Sequence, residues 1–256
     1  MSGESTLSIN YADLKELVGR NLGYGENESQ WDVSQKKDVD RVIDSGLRKF
    51  LYSGQEWTFL KPVATLPTVA DQEDYNLPDD FGGMDGPMTY GQSEGWLAIP
   101  MGGEGEIRRR RQTNVGTARP TLVAVRPKAF EAKVGHRFEL LLWPKPDAVY
   151  NLTYRYHVLL NRLTEAAPYP PGGMAHAETI RTAVLFAAAE SFMEDEIPQR
   201  QAAFKEQMAA SIVHDRKSIT PEHLGPYGDL PQGGQPRRSD AYRCASYNVT
   251  VGGTQW

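Results

Sequence analysis

Across residues 32–62 the spacing of apolar residues changes period, and that change limits what the chain can fold into. Val39, Val42, Ile43, Leu47, Phe50 and Leu51 recur at i, i+3 and i+4, the stripe of one helical face. Asp32 stands three residues before Gln35, the spacing of a capping box. Gly54 is a natural stop, because glycine enters the left-handed conformation without steric cost. Beyond it Trp57, Phe59 and Val63 alternate with Thr58, Leu60 and Ala64, a strand period, and Pro62 marks an edge or a bend. A helical pattern returns only near Ala175. The expectation is a β domain inserted into a helical bundle.

The remaining segments fill in that plan. Residues 11–22 read as a helix capped by Asn10, with Leu14, Leu17, Val18 and Leu22 as its buried stripe. The helix over residues 33–53 would be about 30 Å long. Strands are expected around Tyr75 and over residues 84–90, 96–101, 106–111, 121–126, 136–143 and 151–157. Residues 140–143 are apolar on both faces, which predicts a central strand. In 151–157, Leu152, Tyr154 and Tyr156 face one way. Short strands so closely spaced predict an antiparallel sandwich or barrel. Residues 168–173 lead back to a third helix, 175–195, apolar all round over 183–189 and so buried on more than one side. Pro198 suits the first turn of a fourth helix carrying Phe204, Met208 and Ile212. From 218 onward Pro, Gly, Ser and Arg dominate, too polar to bury a core, although 246–251 alternates like a strand seeking a sheet. The expected fold is therefore α+β: a four-helix bundle (1–56 and 168–217), an antiparallel β-sandwich or barrel between helices two and three (57–167), and an extended C-terminal arm (218–256).

Chemistry is sparse. A net charge of −5 argues against a free-standing nucleic-acid binder. One cysteine, Cys244, excludes an intrachain disulfide and a multi-cysteine metal site. The first residues lack the basic and apolar regions of a secretory leader, and no apolar run is long enough to span a membrane, so synthesis in a cytoplasm is expected. Gly91-Gln92-Ser93-Glu94-Gly95 matches a nucleophile elbow, but the following Trp96-Leu97-Ala98-Ile99-Pro100 is strand-like where that motif needs a helix, so a turn is the better reading. His176-Ala177-Glu178 is half of a zinc-deaminase signature whose other half needs a C-x-x-C. His136, His157, His214 and His223 are scattered. No catalytic residue, cofactor or metal is called for. Two charge clusters stand out. Glu190 and Glu194, with Asp195 and Glu196, gather at the end of the third helix, against its dipole, which suggests a partner cation such as a neighbour's arginine. Arg108, Arg109, Arg110 and Arg111 offer nucleic-acid contact or a polar edge or loop pairing with acids of a neighbouring copy, and the acidic total favours the second.

The order of features resembles a known family. Phe50-Leu51-Tyr52-Ser53-Gly54 before Trp57-Thr58-Phe59-Leu60, and Tyr75-Asn76-Leu77-Pro78-Asp79-Asp80-Phe81-Gly82, carry the likeness. So do Met88-Thr89-Tyr90, the 141–147 turn before 152–156, and the late alanine-rich helix. Over residues 11–216 they are similar to the head-to-tail adaptor (connector) proteins of tailed bacteriophages, of the tail tubular protein A type. The resemblance implies a structural virion protein of the neck, made in the host bacterial cytoplasm. It would form a homo-oligomeric ring, commonly of about twelve copies, under the portal protein. Such a ring extends the channel for passing double-stranded DNA, without sequence-specific binding or membrane contact, and carries the downstream tail or nozzle protein. On physical grounds the arm would order on the portal through Tyr247, Val249, Val251 and Trp256, with Arg237, Arg238 and Arg243 beside them. Glu190, Glu194 and Arg108, Arg109, Arg110 and Arg111 would serve a subunit or tail interface. The alternative is a β-sandwich module of a phage tail that binds carbohydrate or a receptor through Trp96, Trp143 and Tyr90.

Overall fold

The computed structural model describes residues 4–91, 94–113, 116–218, 250–251 and 254–255. Helix α1 (Tyr11–Asn21) begins at Asn10, whose side chain accepts from the Asp13 amide while Asp13 accepts from the Asn10 amide. Helix α2 (Val33–Leu51) opens on the same reciprocal pair, Asp32 with Gln35, at 2.8 and 2.9 Å. Both boxes satisfy amides that would otherwise lack partners in the first turn. Gly54, at φ 92°, takes the chain away from the end of α2.

Helix α4 (Ala177–Phe192) packs against α1, α2 and α5 (Ile197–Ser218). This is why its middle is apolar on every side. Its alanines leave room for neighbouring backbones, and α2 answers with Gly46: a Cβ there would stand 2.5 Å from the Cα of Val184. Val39, Ile43, Phe50, Ile180, Ala183, Val184 and Trp57 share this core.

Trp57 does not start a strand. Residues Thr58–Leu60 form a 3-10 turn instead, because Trp57, Phe59 and Leu60 all go into the helical core rather than alternating between two faces. The first strand, β1 (Val63–Pro67), begins only after Pro62.

Two three-stranded antiparallel sheets follow. One has the order β1–β6–β3, with β3 (Phe81–Tyr90) and β6 (Asn151–Val158); the other has the order β2–β5–β4, with β2 (Asp74–Asn76), β4 (Leu122–Pro127) and β5 (Phe138–Trp143). The segment expected to be central, β5, is central in its sheet, and the alternating β6 is central in the other. Tyr154 and Leu152 of β6 meet Leu140 and Leu142 of β5 in one cluster. Among the described residues the sheets do not close into a barrel. The segment expected as a strand at 96–101 is reduced to single bridges, Met88 to Ile99 and Met101 to Val123.

The largest departure concerns residues 106–111, expected as a strand and found in helix α3 (Glu104–Thr113). The physical reason is β5. Leu140 and Leu142 point to the core between the sheets, so Leu141 points the other way and needs its own cover. Helix α3 supplies it with Ile107, fully buried against Leu141, Leu122 and Ala124. At the C-terminal end, β7 (Thr250–Val251) pairs antiparallel with β8 (Thr254–Gln255), so Val251 finds its partner in the same chain. Tyr247, Val249, Trp256, Arg237, Arg238 and Arg243 lie outside the described residues.

The close approach of α2 and α4 makes a direct prediction. Gly46→Ala should lower the stability to urea by about 1–3 kcal/mol, since the overpacked methyl meets backbone. Gly105→Ala, in α3 with open space around it, should leave stability unchanged or raise it by up to about 1 kcal/mol.

Candidate interaction surfaces

On a helix the four arginines divide between two sides. Arg110 reaches Glu106 at 2.5 Å and stacks 4.7 Å from the centre of the Trp143 ring. Arg111 turns inward: its Nη2 lies 2.8 Å from the Asp74 carboxylate and 3.0 Å from the carbonyl oxygens of Glu73 and Leu142. These two residues fasten α3 to β2 and β5. Their partners in the structure are acids of the same chain. Arg108 and Arg109 are exposed, and the nearest carboxylate to Arg108 is Glu104, at 3.8 Å. Glu104 is shared with Arg126, also at 3.8 Å. Arg126 is bound more closely to Glu139, at 2.6 Å, and that hydrogen bond raises its pKa further. A hollow of about 250 Å³ lies between Arg108, Arg111 and Arg126, floored by Ile107 and Leu141.

The acidic cluster is likewise divided. Glu190 pairs with Lys49 of α2 at 2.6 Å, and Lys49 Nζ also sits 4.8 Å from the centre of the Phe186 ring. The cation suggested by the sequence is therefore an intrachain lysine. Glu194 does not continue the face of Glu190, because α4 ends at Phe192 and a 3-10 turn, Glu194–Glu196, leads into α5. At the start of α5 these acids stand where negative charge is favourable. Glu196 is held by Arg200 at 2.9 Å, while Glu194 and Asp195 are exposed.

The chemical motifs do not assemble. Ser93 lies outside the described residues, and no helix follows at 95–98. His176 is only 3% exposed, ringed by Phe50, Trp57 and Phe59 at centroid distances of 5.1–5.8 Å, whereas Glu178 lies outside that cage and pairs with Arg181. Among the described residues, no three His, Cys, Asp or Glu side chains gather as metal ligands, and no helix is long and apolar enough to cross a membrane. Of the aromatics considered for ligand stacking, Tyr90 is buried and donates to the Pro120 carbonyl, and Trp143 lies under Arg110. Only Trp96 is well exposed, with the Arg119 guanidinium 3.8 Å from its ring centre.

Two features had no sequence signal that local spacing could reveal. Asp215, buried near the end of α5, accepts from Thr58 Oγ1 at 2.5 Å and from the Thr58 amide at 3.3 Å, tying that helix to the turn before β1. An apolar cleft of about 320 Å³ opens between α2 and residues 158–171, where Leu47, Leu51, Tyr52, Leu159 and Leu160 face one another.

Over residues 9–225 the chain matches the SU10 adaptor protein family, and it belongs to that family. This agrees with the resemblance to phage head-to-tail adaptors, which are structural proteins rather than enzymes. No curated protein matches the chain.

The caged histidine generates a pH prediction. Burial, and next the neighbouring His214, lower the His176 pKa from its usual 6.5, so the folded protein resists protonation there. The unfolded chain takes up that proton as pH falls below 6.5, so this part of the stability is present above 6.5 and lost on acidification. His176→Phe should show a smaller drop in its urea midpoint than the parent between about pH 7.5 and about pH 5.5. Equal drops would show that His176 stays uncharged in both states or protonates freely in the fold.

Proposed function

We propose that this chain is a head-to-tail adaptor of the virion neck, forming a ring beneath the portal that extends the DNA channel and carries the tail. The observation that carries this reading is the family match, which runs through α1, both sheets and α5. The physical properties support it. A net charge of −5 disfavours a grip on phosphates, so DNA can slide past the ring. About twelve copies meeting head to tail would each be rotated by about 30°.

In this reading the parts have separate tasks. Helices α1, α2, α4 and α5 form a bundle, and the strand region is an insert between α2 and α4 that meets the tail. Residues 218–256 are the portal-binding arm, with Tyr247, Val249, Val251 and Trp256 as apolar anchors and Arg237, Arg238 and Arg243 as cationic contacts. Glu194, Arg108 and Arg109 are free to meet another chain. Glu190, Arg110 and Arg111 act indirectly, by holding the surfaces on which those residues sit.

Residues 1–218 form a compact unit by themselves, which makes the arm testable. In co-sedimentation with isolated portal rings, the full chain should pellet with the portal. A chain ending at Ser218 should keep its thermal unfolding transition and stay in the supernatant. Equal pelleting of the two would remove the arm from the portal contact.

A further inference from the structure

We propose that the outward arginines of α3, Arg108 and Arg109, receive the acidic turn at Glu194 and Asp195 of a second copy of this chain. This contact would supply the head-to-tail joint of the ring, and it rests on the ring reading above. The structure shows both halves left over after intrachain pairing. Arg110 and Arg111 are bound within the chain, while Arg108, whose side chain is 70% exposed, has only a carboxylate at 3.8 Å that it shares with Arg126. On the other side Lys49 takes Glu190 and Arg200 takes Glu196, leaving Glu194 and Asp195 exposed.

The arginine face is also built to accept a carboxylate. Behind Arg108 lies the hollow of about 250 Å³, lined by Arg111 and Arg126 together with Glu104 and Gln112. Arg111 Nε is buried without a hydrogen-bond partner, 3.6 Å from Glu73. Within the chain Arg108, Arg111, Arg126 and Lys145 are matched by the carboxylates of Glu73, Asp74, Glu104 and Glu139, while the exposed Arg109 has no ion pair among the described residues. That leaves the positive charge of Arg109 for a carboxylate from another chain. The guanidinium fork matches a carboxylate in shape as well.

The two patches sit on different cores. Helix α3 covers the outer face of β4 and β5, whereas the acidic turn joins α4 to α5. A contact between two unlike patches is heterologous, and repeated heterologous contacts close into rings when the rotation fits. Both partners are exposed charges, so the joint should weaken with salt as the screening length falls from about 10 Å at 0.1 M to about 3 Å at 1 M.

The test is ring assembly on isolated portal, counted by electron microscopy, for the full chain and three variants: R108E/R109E, E194R/D195R, and the four changes combined. Each double variant should form rings about tenfold less often than the parent, and the combined variant should regain them, because reversing both sides restores attraction. An E194Q/D195Q chain guards against misfolding, since it keeps the shape of the turn, and it should also lose rings. Unchanged ring yield in the double variants, or no recovery in the combined one, overturns this contact while the ring reading stands. A parent chain that forms no ring overturns both.

Discussion

Helix α4 can be enclosed by three other helices only because their backbones come close. Gly46 of α2 lies against Val184, and alanines line the middle of α4. Once α4 is fixed in this way, the rest of the helical core follows. Trp57 fills the end of that core, its Nε1 donating to the Phe50 carbonyl at 3.3 Å. The chain then leaves for the sheets through a turn that Asp215 holds from α5. One packing constraint thus sets both the helix arrangement and the point from which the first strand departs.

A second constraint, the two-sided burial of β5, shapes the surface. A strand apolar on both faces must be covered twice. The other sheet covers one face and α3 the other. Placing an arginine run on that covering helix commits half of it to pinning and turns the other half outward. The same sorting occurs at the end of α4, where Lys49 and Arg200 neutralise two acids and leave two exposed. Exposed charges that the fold itself has not used are the ones available to another chain.

Much of the framework was legible in the residues. The Asn10 cap and the Asp32–Gln35 box lie beside their helices, the alternation in β6 marks a strand and the apolar run in β5 a central one, because these signals are local. The family likeness was legible for the same reason, since it rests on turns and aromatic positions. Helix α3 was missed because a run of identical arginines carries no period. Signals were present all the same: Glu104 with Arg108 and Glu106 with Arg110 have i, i+4 helical spacing, and Leu141 required a cover. Trp57 and Phe59 alternate with Thr58 and Leu60 in sequence, yet a 3-10 turn buries Trp57 and Leu60 in one core and packs Phe59 against it. The partners of Glu190 and Thr58 lie 141 and 157 residues away, beyond any local pattern.

The central claim is that this chain builds a ring on the portal. The most direct measurement images the purified full-length chain mixed with isolated portal rings, by electron microscopy. The account predicts a second ring stacked coaxially on the portal, continuing its channel. Portal rings that stay bare, while still binding their other partners, would contradict it.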